Sequence, residues 1–135
     1  MYKNILIPVA PDHTTSYNHA MNVARKLLGS EGKITALTVL DAIPDFVRAE
    51  IPHEVYADRV SEAEASLKAE VGGVTDVKPV VVSGHSYRTI LDYADETNVD
   101  CIVITSHKPE FSDYLLGSTA ARVVRHAKCA VVVLR

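Results

Sequence analysis

The residues best placed to do chemistry lie near the end of the chain, in "CIVITSHKPEFSDYLLGSTAARVVRHAKC" (Cys101–Cys129). A short apolar run, Cys101–Thr105, empties into a polar loop, and Gly117-Ser118 then opens a helical pattern. A helix start presents backbone N–H groups without intrahelical partners and a partial positive charge, and glycine lets an anion approach the backbone. This arrangement suits phosphate binding through the Ser118 hydroxyl and the N–H groups of Ser118 and Thr119. The structural alternative is a serine that only caps its own helix. Lys108, the one cation in the loop, could meet phosphate as a point charge or stay solvated. Pro109 stiffens the loop and biases Lys108 toward extended backbone. Ser106 and His107 sit at the strand exit, where His107 could polarise a phosphate or hydroxyl or act as a hydrogen-bonded structural histidine.

Other candidates are weaker. Asp12, after Pro11, reads as a cap for the first helix, with a ribose hydroxyl or Mg²⁺ contact as the alternative. His126 falls in the last turn of the final helix, where a cation complements the dipole. The six histidines include no i, i+4 pair and no Cys or Asp companion at ligand spacing, so a metal centre is not expected. The chain has no G-x4-G-K-[ST] loop, no G-x-S-x-G elbow and no G-x-G-x-x-G fingerprint. "PVAPDH" and "VVVSGH" lack the acidic residues of a phosphoacceptor receiver. Dedicated catalysis is therefore not expected. Cys101 and Cys129 each start an apolar run and read as small buried hydrophobes.

Five apolar, β-branched runs would position these residues: Asn4–Val9, Lys33–Leu40, Lys78–Ser83, Cys101–Thr105 and Cys129–Leu134. Continuous runs fit strands covered on both faces. Helical spacing falls between them. Tyr17, Ala20, Val23, Ala24, Leu27 and Leu28 share one face, with Gly29 expected to end that helix. A polar, alanine-rich helix over 54–71 carries a thin stripe of Val60, Ala63, Leu67 and Val71. Ile90, Leu91 and Ala94 mark a third helix, and Ala120, Val123, Val124 and Ala127 a fourth. The alternation predicts an α/β domain, a five-stranded parallel sheet with helices on both faces and right-handed crossovers. Ligands of such sheets bind beyond the carboxyl ends of the strands, at 10–12, 41–42, 83–86 and 105–118. Gly84 allows a tight turn after the third strand.

The 135 residues, 47% hydrophobic and 23% charged, make one ordinary globular domain spanning 1–135. A net charge of −3, with basic residues scattered, excludes an electrostatic footprint for nucleic acid. No run approaches the ~18 apolar residues of a membrane span, and no secretory pattern opens the chain, so a cytosolic protein is expected. Ala130–Leu134 is an apolar strand at a sheet edge, which invites antiparallel pairing with its own copy in a two-fold dimer.

"YKNILIPV", "VVVSGHSYRTILDYADETNVDCIVITSH" and "LLGSTAARVVRHAKCAVVVLR" together resemble the universal stress protein family along essentially the whole chain. The resemblance implies a Rossmann-like fold of the adenine nucleotide alpha hydrolase-like type, commonly dimeric. It also implies ATP or AMP, possibly with Mg²⁺, bound at the strand ends, with at most slow hydrolysis. The family loop G-x2-G-x9-G-[ST] falls here on Thr105, Lys108 and Gly117-Ser118. Its first two glycines are replaced, and the spacer is one residue short. The family's frequent aspartate after the first strand falls on Ala10. By the same resemblance, nucleotide contacts are expected at Pro8, Val9, Ala10 and Asp12. Val39 and Leu40 would read the adenine with their backbone, and Thr105, Ser106, His107, Lys108, Gly117, Ser118 and Thr119 would hold the remainder. A stress-response regulator switched by nucleotide is the leading reading. A dimeric interaction module of the same fold that binds no nucleotide is the alternative.

Overall fold

The computed structural model describes residues 1–11, 17–71, 76–106 and 117–135. Five strands, β1 (Tyr2–Pro8), β2 (Leu28–Asp41), β3 (Val77–Gly84), β4 (Cys101–Thr105) and β5 (Ala130–Leu134), form one sheet in the order β3-β2-β1-β4-β5. Every neighbouring pair is parallel, as the continuous apolar runs predict. The helices are α1 (Tyr17–Leu27), α2 (Asp45–Arg48), α3 (His53–Val71), α4 (Ser86–Glu96) and α5 (Ser118–His126). The short α2 lies within the two-proline connection that the sequence marks as irregular.

Alternating side chains divide the core into two layers. Ile5, Ile7, Ile34, Ala36, Cys101 and Val103 pack on one face against Tyr17, Ala20, Met21 and Ala24 of α1 and Leu67 and Val71 of α3. Leu6, Leu37, Val39, Ile102 and Ile104 pack on the other against Ile90 and Ala94 of α4 and Ala120 and Val123 of α5. The i, i+3, i+4, i+7 spacing of the α1 residues puts all four on one stripe. Two expectations need correction. Val124 is 44% exposed and lies off the buried face of α5, which is narrow enough to be covered by Ala120 and Val123. Gly29 does not end α1: the helix stops at Leu27, and Gly29 already lies in β2. A Cβ there would sit 2.7 Å from the Met1 nitrogen, so close backbone approach accounts for the glycine. The left-handed residue of that connection is Glu31, at φ 63°.

One polar network ties the base of the sheet. The Asp100 carboxylate accepts the N–H groups of Lys3 (2.9 Å) and Asn4 (3.0 Å), and its own N–H donates to the Asn4 carbonyl (3.0 Å). Asn4 Nδ2 donates to the Thr97 carbonyl at 2.6 Å. Asn98, at φ 58°, ends α4 in the left-handed turn that asparagine tolerates, and Val99 N–H bonds back to the Ala94 carbonyl (2.9 Å). The end of α4 is thereby fixed against the start of β1 and β4. Asp100→Ala leaves two backbone donors without their acceptor and is expected to lower stability by about 1–3 kcal/mol in urea unfolding. An unchanged midpoint would show that the tie contributes nothing.

Candidate functional site

The upper end of the sheet is open where the base is closed. β1 and β4 are bridged only at Ile5↔Cys101 and Leu6↔Ile102, while β4 and β5 stay paired to Thr105↔Leu134. Val9 N–H donates to the Leu37 carbonyl (2.8 Å), toward β2. By alternation, the Pro8 nitrogen faces β4, and it carries no hydrogen with which to extend the ladder. The strand order also reverses between β1 and β4, since β2 and β3 lie to one side and β5 to the other. A crevice at that reversal is where parallel sheets accept ligands.

β2 forms the next wall. Its pairing with β1 ends at Pro8↔Leu37, yet its pairing with β3 runs on to Asp41↔Gly84. The β1-facing backbone edge beyond Leu37, which by the same alternation is that of Val39, therefore has no strand beside it among the described residues, whereas Leu40 turns its N–H and carbonyl to β3. Thr38 Oγ1 donates to the Val9 carbonyl (3.1 Å) and holds the two exits at a fixed separation. Ala10 is exposed at the rim.

The opposite wall is the start of α5. Ser106 is 3% exposed; its N–H donates to the Leu134 carbonyl (2.8 Å) and its carbonyl accepts from Gly117 N–H (2.8 Å). The chain therefore leaves β4 and re-enters α5 at a single point. Thr105 stays in the β4–β5 ladder and neither it nor Ser106 has positive φ, so threonine at the first motif glycine carries no backbone strain. Gly117, not Ser118, is the N-cap of α5, and among the described residues no side chain caps the helix. The reading of Ser118 as a simple serine cap is corrected accordingly: Ser118 is the first helical residue and is exposed. Among the described residues the first-turn N–H groups of Ser118 and Thr119 have no side-chain acceptor, which suits an anion. Thr119 Oγ1 lies 3.3 Å from Ser86 Oγ at the start of α4.

Pro8, Val9, Ala10, Val39, Leu40, Thr105, Ser106, Gly117, Ser118 and Thr119 thus gather around one end of the sheet. Asp12, His107 and Lys108 lie outside the described residues. The irregular connection adds groups that motif reading passed over. Tyr56 Oη lies 3.3 Å from Ser83 Oγ, the Arg48 guanidinium lies 4.5 Å from the Tyr56 ring centre, and Arg59 donates to the Asp41 carbonyl (3.3 Å). Their sequence signal was only the unusual length of that segment. Gly84, with φ 156°, passes so close to Thr89 that a Cβ would overlap the Thr89 hydroxyl.

Two other features stand apart from this end. A cavity of about 480 Å³ lies at the base, lined by residues that include Asn4, Lys33, Thr35, Lys78 and Tyr93. Burial pushes the Cys101 thiol up to about 11 and raises that of Cys129, so neither is a ready nucleophile near neutral pH. Among the described residues, no cluster of three or more His, Cys, Asp or Glu side chains could hold a metal, and no helix is long and apolar enough to cross a membrane.

The model of the universal stress protein family matches residues 1–135. Universal stress protein G of Escherichia coli O157:H7 is 31% identical over 142 residues, covering 100% of both chains. Among solved structures, the universal stress protein UspA from Lactobacillus plantarum superposes with a TM-score of 0.71 at 29% identity, over 99% of this chain and 98% of that one. A universal stress protein solved in complex with cAMP shares the fold, with a TM-score of 0.61 at 23% identity over 99% and 97% of the two chains. A match from end to end by the family model, and a relative similar over its full length, establish that this chain belongs to the universal stress protein family.

Proposed function

We propose that the chain binds an adenine nucleotide, ATP or AMP, in the crevice between the upper ends of β1 and β4, and acts as a cytosolic, dimeric stress-response regulator. The observation that carries this reading is the uncapped first turn of α5, with Ser118 exposed beside a crevice whose other wall is an unpaired backbone edge. The donor set fits such a ligand. Ser118 and Thr119 would hold phosphate through N–H and hydroxyl groups. The free edge of β2 at Val39 would offer the backbone donor and acceptor that a purine edge needs, Leu40 being in the β3 ladder, and Ala10 leaves room beside it. The cAMP complex of a relative with this fold supports an adenine nucleotide as the ligand class.

Dimerisation belongs to the same proposal. β5 is the edge strand, and every residue from Ala130 to Leu134 is only partly buried. An apolar edge with open hydrogen-bonding groups is best satisfied by a second copy in antiparallel pairing. Ala10, Thr105 and Lys108 stand where the family motif places Asp and Gly, which favours the alternative module without nucleotide.

Calorimetry with AMP and ATP separates the two readings, and saturable binding is expected. Ser118→Asp sharpens the test. A carboxylate at the first helical position complements the dipole and should keep or raise stability by about 0.3–1 kcal/mol. It should also repel phosphate and weaken binding at least about tenfold. Heat signals indistinguishable from buffer would remove the nucleotide reading; equal affinity in Ser118→Asp would move the phosphate elsewhere. Sedimentation equilibrium is expected to give twice the 14.7 kDa chain mass, and a monomer at all concentrations would refute the β5 dimer.

A further inference from the structure

Tyr87, the second residue of α4, gathers two arginines from different helices. The guanidinium of Arg122, on α5, lies 4.9 Å from the Tyr87 ring centre, and that of Arg88 lies 5.8 Å from it. Arg88 Nε also donates to the Tyr87 hydroxyl at 3.1 Å. Both arginines are exposed, and neither forms an ion pair among the described residues, Asp92 one turn along α4 included. Asp95, farther along α4, pairs instead with Lys128. Two like charges held at one ring, with no carboxylate paired to them among the described residues, repel each other, so the arrangement favours an anion between them.

Its position links this pair to the α5 wall of the crevice. Arg122 is one helical turn after Ser118 and so lies on the same side of α5. Helical side chains lean toward the N-terminus, which carries the Arg122 charge back toward Ser118. The Ser86–Thr119 contact brings the first turn of α4, and Tyr87 with it, against the first turn of α5. Stacking on the ring orients a planar guanidinium before any ligand arrives, leaving its N–H fork to a phosphate rather than to water.

We propose that Tyr87, Arg88 and Arg122 form a polyphosphate clamp, which grips the phosphates beyond the first of a nucleotide held at Ser118 and so favours triphosphate over monophosphate. The proposal rests on the nucleotide reading above for where the ligand is anchored. It adds a specificity element on α4 and α5, outside the loop that the family motif covers.

Calorimetry at low salt on the whole protein tests it, with AMP, ATP and inorganic tripolyphosphate as probes. Arg122→Ala should weaken ATP and tripolyphosphate about tenfold and AMP less than about twofold, as expected for one lost charge-assisted pair. Arg122→Lys should fall between, keeping the charge but losing the fork. Tyr87→Leu, which keeps both charges but removes the platform, should cost about threefold for ATP. Arg125→Ala removes one charge elsewhere on α5 and should leave all three affinities as they were. If Arg122→Ala keeps the ATP-to-AMP ratio, the clamp is overturned and the nucleotide site stands. If tripolyphosphate binds through Arg122 while no nucleotide binds, the nucleotide reading falls and the clamp as a nucleotide-selecting element falls with it. A wild-type protein that takes none of the probes overturns both.

Discussion

Unequal pairing of β1 with β4 is the constraint on which the rest depends. At the base, one carboxylate, Asp100, takes two N–H groups of β1 and returns its own N–H to Asn4. At the top, a proline removes the donor that would continue the ladder, and the strands part after Leu6↔Ile102. A sheet twists steadily from strand to strand, so a pair fixed at one end and released at the other opens in a defined direction. The crevice therefore follows from strand pairing, with the Asp100 carboxylate holding its closed end and Thr38 Oγ1 spacing the exits of β1 and β2.

The two layers of the core play different parts around that opening. On the α1–α3 face, aliphatics of the sheet pack against Tyr17, Met21 and Leu67 in a closed layer. On the α4–α5 face, two short helices bring their first turns together at the same end as the crevice. Among the described residues neither helix has a side-chain cap, His85 and Gly117 being the cap residues. An uncapped start costs stability, and a protein that accepts that cost twice at adjacent points keeps N–H groups available there. Arg88 and Arg122, braced on Tyr87, add positive charge nearby.

Much of the fold was legible in the sequence because parallel strands covered on both faces must be apolar at successive positions. Cys101–Thr105 is a strand with the same limits in both readings. Gly117-Ser118 was legible from its motif and stands at the helix start as expected, although the cap is the glycine. What escaped notice depended on long-range partners. Asp100 acts on residues 96 and 97 positions away, and Tyr87 meets Arg122 from another helix, so neither contact has a local signature. Gly29 was misread because a helix stop and a close approach by Met1 call for the same residue type. Backbone edges such as that of Val39 carry no side-chain signal at all; only strand order and register reveal them.

Nuclear magnetic resonance of the ¹⁵N-labelled protein during an AMP titration tests the location of the ligand most directly. Amide shifts should concentrate at Val9, Ala10, Val39, Leu40 and Gly117 to Thr119, fading toward the base of the sheet. Shifts centred instead on Asn4, Thr35 and Lys78 around the basal cavity, or a spectrum unmoved at millimolar AMP, would contradict the account.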